Sequence, residues 1–443
     1  MALTISSLRV GLCCSLILAM VGADLDQRTL HVMPYPDCDK YPSCEQALNQ
    51  SSSDPGFPNL IYVSAVGTKD KLHFVLTTIN VPSLLILQTS MDGQMYFNWD
   101  GILLADNITD MANAINVSAS SVLYQYSVLF TRLIEYNDTS DVANLAIADE
   151  PNSKTEWKIH DFRDFKWMNA TTGQGGNSII FSTAYHDINK TDATGNLTGS
   201  LYFEFEMHGE DGRDEDLPHL IYNTNMTQLN FVLDKYTPAF ANSRFALEVA
   251  VISNSSVHDD LPDEMSIEET KSIDDEYSPG VFKIVNWYSR QNHKDAGGYI
   301  QWKPVCYLDA HRARDKGTEV QYYGLTGTQH IDDILNTSVA FAYFGDRLYT
   351  DKNVVRKASN ISFGFSNDGF YVGSNYTAWT VSIGFGTPPE ESISTMVIAV
   401  IAAGLGIPVI IIVIGGLYVC IKRRRSQTYE PLGNGSGSYA PVN

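Results

Sequence analysis

Cysteine and basic residues are both scarce in this sequence. Six cysteines in 443 residues are too few for a scaffold held together mainly by disulfides. Lysine and arginine number 30 against 51 aspartate and glutamate, for a formal net charge of -21. Nucleic-acid recognition requires clustered basic side chains over a broad face, so the charge balance argues against a nucleic-acid partner.

Signatures of known catalytic sites are also missing. The chain has no G-x-S-x-G, H-E-x-x-H or C-x-x-C motif, and its histidines show no pair at metal-ligand spacing. Acidic clusters occur at residues 210–216, 259–264 and 274–276. Paired carboxylates can hydrolyse glycosides or bind calcium, but no cluster has EF-hand spacing, and acidic runs are usually solvated loops. We therefore expect no enzymatic activity, no cofactor and no metal site.

The N-terminus has the three parts of a secretory signal. Arg9 precedes a short apolar segment, which ends at the small residues Val21 and Ala23. This order is typical of a signal peptide that is cleaved after the last small residue. Residues 1–23 are therefore expected to be removed. The alternative interpretation is a buried N-terminal helix.

A long apolar run lies near the other end of the chain. Residues 396–421 carry no charge, and four basic residues, 422–425, follow at once. About 20 apolar residues span a bilayer core, and the positive-inside rule places the basic end in the cytosol. With a cleaved signal, we expect a single-pass type I membrane protein with luminal residues 24–395, a transmembrane helix at 396–421 and a cytosolic tail at 422–443.

The tail contains the pattern tyrosine-x-x-bulky apolar residue twice. The first copy runs from Tyr429 to Leu432 and the second from Tyr439 to Val442. Such a peptide binds clathrin adaptors as an extended strand, with the tyrosine and the apolar side chain in separate pockets. The tail therefore predicts sorting to lysosomes. Chance tyrosines in an unstructured stub are the alternative.

N-glycosylation sequons are much denser in the luminal region than its composition predicts. In a secretory-pathway lumen, this excess indicates heavy glycosylation, although individual sites can remain unused. Sugar over much of the surface limits extended flat interfaces and keeps proteases from the backbone. The predicted sites are Asn49, Asn107, Asn116, Asn137, Asn169, Asn189, Asn196, Asn225, Asn254, Asn336, Asn360 and Asn375.

Apolar residues alternate with other residues in several luminal segments, as at 201–207, 245–251 and 379–385. Period two is typical of half-buried strands, and helical periodicity is poor almost throughout. Many strands separated by turn residues predict a mainly β fold built from antiparallel β-sandwiches. Because the luminal region is longer than one ordinary sandwich, we expect two domains, residues 24–258 and 259–395.

Three cysteines remain in the predicted luminal region. Cys38 and Cys44 are a candidate disulfide that would close a small loop in an oxidising lumen. Cys306 is then left without a partner, and its place in a strand-like run favours a buried thiol. An intermolecular bridge through Cys306 is the alternative.

A family resemblance is carried by residues 271–287 (KSIDDEYSPGVFKIVNW). They resemble the Ser-Ile-Asp-Asp-Glu-Tyr-x-Pro segment of the glycosylated lysosomal membrane protein family. Similar stretches follow the family's order at 65–74 (AVGTKDKLHF), 97–104 (FNWDGILL) and 379–389 (WTVSIGFGTPP). Residues 36–56, which include the candidate disulfide, look inserted relative to vertebrate members, and this departure puts the luminal disulfide in doubt.

The resemblance implies a lysosomal type I glycoprotein without enzymatic activity. Members associate through the luminal domain with a lysosomal dipeptide transporter of the major facilitator superfamily. They protect this transporter from lysosomal proteases and support its lysosomal residence. The family's tail signal is followed by a single asparagine, which favours Tyr439 over Tyr429. The alternatives are a structural lysosomal membrane glycoprotein or a luminal hydrolase, and homodimerisation is left open.

Substitution of Tyr439 by alanine is expected to move the chain from lysosomes to the cell surface, because adaptor binding loses its tyrosine contact. We expect a roughly fivefold rise in the surface fraction by cell-surface biotinylation. Tyr429→Ala is the matched control and should have a smaller effect. Equal effects of the two substitutions would contradict the preference for the C-terminal copy.

Overall fold

The computed structural model describes residues 27–51, 56–104, 108–148, 155–173, 178–183, 199–254, 264–274, 280–390 and 395–426. The predicted signal peptide and both tyrosine motifs of the tail lie outside these residues. Contacts divide the chain into two units. The first comprises Met1–Ser272 and Phe282–Glu390, and the second comprises Ile273–Val281 and Glu391–Asn443.

The described part of the chain is mainly β. In chain order, its strands are β1 (Thr29–Pro34), β2 (Leu60–Val66), β3 (Asp70–Thr77), β4 (Ser83–Ser90), β5 (Gln94–Phe97), β6 (Ile115–Ser118), β7 (Val122–Asn137), β8 (Trp157–Asp161), β9 (Thr171–Thr172), β10 (Ser178–Ser182), β11 (Ser200–Met207), β12 (Gly212–Arg213), β13 (Ile221–Tyr222), β14 (Met226–Asp234), β15 (Ser243–Asn254), β16 (Ser266–Asp274), β17 (Gly280–Tyr288), β18 (Gly298–Trp302), β19 (Val305–Tyr307), β20 (Gly317–Tyr322), β21 (Val354–Phe363) and β22 (Tyr376–Phe385).

Helices are short, apart from the last one. The α-helices with described bounds are Pro42–Ser51, Trp99–Leu103, Ile108–Met111, Leu145–Ala148, Asp332–Leu335, Val339–Phe344, Arg347–Thr350, Tyr371–Ser374 and Thr395–Ser426. Single 3-10 turns lie at Cys38–Lys40, Phe162–Asp164, Lys294–Ala296, Arg314–Lys316 and Gln329–Ile331.

Most of the strands pair antiparallel in two large sheets, while β5 with β6 and β12 with β13 form separate two-stranded sheets. The first sheet runs β1, β2, β3, β4, β7, β15, β21 and β20, and β8 pairs with the end of β7. The second sheet runs β9, β10, β11, β14, β22, β18 and β17. Strand β19 pairs with both β20 and β22 and so joins the two sheets. The prediction of a mainly β, antiparallel fold is confirmed.

Aromatic side chains fill the space between the two sheets. Phe130 and Phe363 of the first sheet meet Phe203, Phe231 and Trp379 of the second, with neighbouring ring centroids 5.0 to 5.9 Å apart. All five side chains are nearly inaccessible to solvent. The period-two pattern of β11 explains part of this packing, because its odd-numbered residues from Leu201 to Met207 are buried and the alternating ones are half-buried.

The two predicted luminal halves share both sheets. Strand β15, before the expected boundary, pairs with β21, which follows it. Strand β14 pairs in the same way with β22. The boundary at residues 258 and 259 itself lies outside the described residues. The described strands thus form one sandwich where the sequence predicted two, because strand pairing between distant segments is not visible in a local pattern.

The C-terminal helix Thr395–Ser426 belongs to the second unit. Its segment Ala399–Arg425 has a mean hydropathy of 2.6 over its most apolar part and is long enough to cross a membrane. Pro408 lies inside this helix. Membrane helices tolerate an internal proline better than soluble helices do. The prediction of one C-terminal apolar helix is confirmed.

Replacement of Phe203 by alanine is expected to destabilise the sandwich by about 3–5 kcal/mol, because it leaves a cavity at the centre of the aromatic packing. Thermal unfolding of the full chain in detergent, followed by tryptophan fluorescence, measures the change. Phe365→Ala is the matched control, because the Phe365 side chain is 52% exposed and its loss should change stability by less than about 0.5 kcal/mol. Equal shifts for the two variants would contradict this account.

Candidate functional site

The predicted glycosylation sites lie on many different elements of the sandwich. Asn107, Asn189 and Asn196 fall outside the described residues. None of the other sequon asparagines is a buried residue, although the side-chain oxygens of Asn137 and Asn360 are buried. The described ones are Asn49, Asn116, Asn137, Asn169, Asn225, Asn254, Asn336, Asn360 and Asn375. Their occupancy stays a prediction.

The candidate disulfide closes a turn directly after β1. The structure pairs Cys38 with Cys44, with 5.4 Å between their Cα atoms. The turn is also fixed from outside. The indole N–H of Trp99 donates to the Pro36 carbonyl, 2.8 Å away, and the Trp99 ring stacks on Phe57 with centroids 5.7 Å apart. The disulfide thus closes the inserted segment on itself, and the Trp99 hydrogen bond ties its first residue, Pro36, to the rest of the unit.

A groove of about 800 Å³ opens beside this turn. Its walls come from β1, from β2 and β3, and from β5, with Pro36 and Asp37 at one end. Two charged side chains of its lining, Lys71 and Asp37, have partners within the protein. The Lys71 ammonium donates to the Gly93 carbonyl, 2.8 Å away, and an Asp37 carboxylate oxygen lies 2.6 Å from Nζ of Lys40.

Cys306 lies in β19 and is fully buried. The structure leaves it as a free thiol, and burial raises the pKa of this thiol far above its ordinary value. A protonated, inaccessible thiol is unreactive. This placement agrees with the buried thiol that the sequence favoured.

Two buried carboxylates, Glu135 and Glu248, each lie beside a histidine and accept hydrogen bonds from other groups as well. Glu135 accepts from the Ser243 hydroxyl and the Ala239 N–H, and it lies 3.1 Å from Nε2 of His160. Burial alone would raise the pKa of Glu135, but these hydrogen bonds hold it below its ordinary value. The Ser243 hydroxyl thus donates to the carboxylate and not to the His160 imidazole, unlike the serine of a catalytic triad, which donates to a histidine.

Arg244 forms the densest ion cluster of the first unit. Its guanidinium, only 3% exposed, lies within 2.8 Å of carboxylate oxygens of Asp138, Asp141 and Asp368. It also stacks over the Phe370 ring, 5.1 Å from the centroid. A buried charge needs such pairing to offset its desolvation. The arginine therefore fixes the loop after β7 and the loop after β21 against β15.

A row of polar side chains crosses the outer face of the second sheet. Directly opposed residues on six neighbouring strands form it: Ser178, Glu206, Gln228, Ser382, Gln301 and Asn286. Most of the row is buried, although it lies on the face opposite the aromatic core. Within the described residues, neither side-chain amide atom of Gln228 has a hydrogen-bond partner.

The loop between β11 and β14 covers this row. The buried Lys303 ammonium donates to the Pro218 carbonyl of the loop, 2.9 Å away, and Arg312 donates to the Leu217 carbonyl at 3.2 Å. The same loop carries the acidic cluster at residues 210–216. The sequence suggested that this acidic run is a solvated loop. The run instead packs in part against the sheet, and Asp214 is half-buried.

Glu206 is the carboxylate most affected by this cover. Burial, with Glu204 and Asp214 nearby, raises the pKa of Glu206 from about 4.5 to about 7, while Arg312 opposes the rise. His73 of the first sheet behaves in the opposite way. Burial and the Lys71 charge lower its pKa to about 4, and its ring nitrogens are held by Tyr62 and Thr89.

Sequence reasoning did not identify these two groups. In the sequence, Glu206 is only a polar residue that alternates with apolar residues in a predicted strand. His73 is only one residue of the stretch 65–74, which resembles the family. The sequence signal that points to Glu206 is the presence of alternate glutamates in β11, followed a few residues later by an acidic run. No group of three or more histidine, cysteine, aspartate or glutamate side chains suited to a metal occurs in the part of the chain that the structure describes.

The fold defines a class: a β-sandwich protein with one C-terminal helix fit to span a membrane. Comparison with known proteins gives the family. The family described as "Glycosylated lysosomal membrane protein" matches residues 59–426, and the chain belongs to this family of lysosomal membrane glycoproteins. The expected resemblance is confirmed.

Named relatives span most of the chain. The glycosylated lysosomal membrane protein of Danio rerio is 31% identical over 96% of this chain and 100% of its own length. Glycosylated lysosomal membrane protein B of Xenopus laevis is 32% identical, over 87% of this chain and 91% of its own. The Homo sapiens relative of the same name is 26% identical, over 84% and 86%. These relatives are named as membrane glycoproteins and not as enzymes.

Glu206→Gln is expected to stabilise the chain at neutral pH and to leave acidic stability nearly unchanged. The folded-state pKa of Glu206 lies above its unfolded value, so its contribution is full below about pH 4.5 and is lost as pH rises through about 7. The neutral amide mimics the protonated acid. We expect a gain on the order of 1 kcal/mol at pH 7.5, discounted because the side chain is partly exposed.

Thermal unfolding of the full chain at pH 7.5 and pH 5 measures this difference. Glu45→Gln is the control, because Glu45 is an exposed carboxylate on the helix Pro42–Ser51. A gain for Glu206→Gln that is the same at both pH values would contradict the assignment.

Proposed function

We propose that the chain is a type I accessory subunit of a lysosomal transporter. Its β-sandwich lies in the lumen and binds a transporter of the major facilitator superfamily, an exporter of dipeptides. It protects this transporter from lysosomal proteolysis and supports its lysosomal residence. The tail delivers the complex through clathrin adaptors that bind Tyr439 and Val442.

The observation that carries this proposal is the distribution of sequons over one continuous sandwich. Asn116 on β6, Asn225 before β14 and Asn360 on β21 belong to separate sheets or hairpins of the same unit. A protease needs an extended backbone segment, and paired strands under sugar do not supply one. A domain of this kind is suited to cover the luminal loops of a multispan protein.

The buried groups support a binding role over a catalytic one. The serine and histidine around Glu135 both satisfy one carboxylate, and Glu248 is bound by His330 and Thr131 in a similar way. Such fully satisfied networks rigidify a core. A structural glycoprotein that only lines the lysosomal membrane is the second candidate, because the same sequon distribution suits it.

The proposal is tested by exchanging the luminal region for an unrelated glycosylated luminal domain while the helix and tail are kept. The half-life of the transporter in lysosomes should fall several-fold in cells that express the exchanged chain. Inhibitors of lysosomal proteases should restore it. Pulse-chase labelling of the transporter measures both effects.

A chain with the native luminal region on a foreign single-pass helix is the matched control, and it should keep the half-life near that of the wild type. If the exchange leaves the half-life unchanged, the accessory role fails and the structural glycoprotein becomes the better reading. If the foreign helix alone shortens the half-life, the interaction lies in the membrane and not in the sandwich.

A further inference from the structure

The loop between β11 and β14 is a hairpin of its own, residues 208–222, which we call the strap. Strand β12 pairs with β13 inside it, and at its base the His208 ring stacks on the Tyr222 ring, with centroids 3.5 Å apart. Nearer its tip, the Asp214 N–H donates to the Leu220 carbonyl, 2.9 Å away. These contacts lie within the strap, so it can keep its shape when it separates from the sheet.

Two cations from other segments hold the tip of the strap. The buried Lys303 ammonium donates to the Pro218 carbonyl, 2.9 Å away. The Arg312 guanidinium donates to the Leu217 carbonyl at 3.2 Å. Leu220 is buried as well, but it belongs to neither apolar cluster of the sandwich core. The strap therefore lies outside the aromatic packing, and its separation leaves the sandwich core intact.

Two carboxylates lie at this contact without a cation partner. Glu206 of β11 and Asp214 of the strap are both half-buried, and they are close enough to repel each other. Within the described residues, neither forms an ion pair, and the Glu206 carboxylate accepts a long hydrogen bond, 3.4 Å, from the Asn230 amide. The nearby Arg312 donates instead to neutral acceptors, among them Oδ1 of Asn230 at 2.9 Å. The closed strap thus holds like charges together.

The polar row beneath the strap also disfavours the closed position. In the described part of the chain, neither amide atom of Gln228 nor Oγ of Ser382 has a hydrogen-bond partner, and these two residues are directly opposed. Gln228 is directly opposed to Glu206 as well. A buried polar atom without a partner costs free energy, and contact with water recovers it when the cover lifts.

Groups that carry charge or titrate surround the Glu206 carboxylate on its own strand, on the strap and on the segments that hold the strap. The strands β10 and β14 beside it present the neutral Ser178 and Gln228 directly opposite. Burial and the nearby acids raise the pKa of Glu206 to about 7. Burial lowers the pKa of His208, so this histidine adds no charge at neutral pH. The surrounding groups are Glu204, His208, Glu210, Asp214, Asp216, His219, Tyr222, Lys303 and Arg312.

We propose that the strap is a pH-sensitive cover, closed over the second sheet in acid and released from it at neutral pH. Protonation of Glu206 removes its repulsion with Asp214 in the closed position, whereas water solvates both carboxylates in the open one. The proton on Glu206 therefore favours closing fully below about pH 4.5, and this contribution is lost as pH rises through about 7. Asp214 acts in the same direction, because burial raises its pKa too.

The consequence for the protein rests on the luminal orientation proposed above. Exposed loops are preferred sites of proteolytic nicking, and the strap would be closed in the acidic compartment where lysosomal proteases act. The pH response itself requires neither that orientation nor a transporter. A test on the purified chain therefore leaves the accessory function untouched, whatever its result.

Hydroxyl-radical footprinting of the full chain in detergent, with oxidation located by mass spectrometry, tests the proposal. Leu220 reports on the strap, and Leu104, which is 60% exposed, corrects for the radical dose at each pH. We expect the oxidation of Leu220 relative to Leu104 to be about fivefold higher at pH 7.5 than at pH 5, since closing is linked to proton uptake. The fully buried Leu229 of β14 should stay protected at both pH values.

Glu206→Gln should keep Leu220 protected at both pH values, because the amide carries no charge to repel Asp214. Glu215→Gln is the matched control, since Glu215 is an exposed carboxylate on the same strap, and it should keep the pH dependence of the wild type.

Equal oxidation of Leu220 at pH 5 and pH 7.5 in the wild-type chain overturns the proposal. So does a Glu206→Gln chain with the wild-type pH dependence. A parallel rise in the oxidation of Leu229 shows that the whole sandwich loosens, and it overturns a local cover. Should Glu206→Gln expose Leu229 at both pH values, the variant is unfolded, and Asp214→Asn replaces it with the same expected result.

Discussion

The aromatic packing between the two sheets is the interaction on which the rest of the sandwich depends. Phe130 and Phe363 of one sheet meet Phe203, Phe231 and Trp379 of the other in an unbroken series of ring contacts. Burial of large rings is the main favourable term in a core of this kind. Because these rings come from both halves of the sequence, neither half has a complete core without the other.

Buried cations attach the connecting loops to this core. Arg244 binds three aspartates from two loops. Arg28 joins the start of the first sheet to Asp70 and to Asn225, before β14. Removal of either arginine would leave carboxylates or amides buried without their partner, at a cost of several kcal/mol in the first case. The arginines therefore hold these loops against the sandwich.

Burial is the main cause of the shifted pKa values of both Glu206 and His73. Burial disfavours the charged form of any side chain, so it raises the pKa of Glu206 to about 7 and lowers that of His73 to about 4. Between these values both side chains are uncharged in the folded protein. Protonation of Glu206 relieves its repulsion with Glu204 and Asp214 under the covering loop.

The sequence by itself determined the features that depend on neighbouring residues. A charge-free run long enough for a bilayer predicts the C-terminal helix, and period-two alternation at residues 201–207 predicts β11 with the correct buried face. Cys44 follows Cys38 by six positions, a spacing short enough for a local loop. The sequons are equally local signals, and none of the nine described asparagines is a buried residue.

Only the tertiary structure decided how distant segments meet. The pairing of β15 with β21 joins residues more than a hundred positions apart, and it turns two expected sandwiches into one. Large separation in sequence also explains why the sequence did not predict the loop that covers Glu206 or the groove between β1 and β5. The periodicity of one segment carries no information about which other segment packs against it. Hydrogen-bond registers and burial between remote strands are properties of the folded chain, and they set the unusual pKa values.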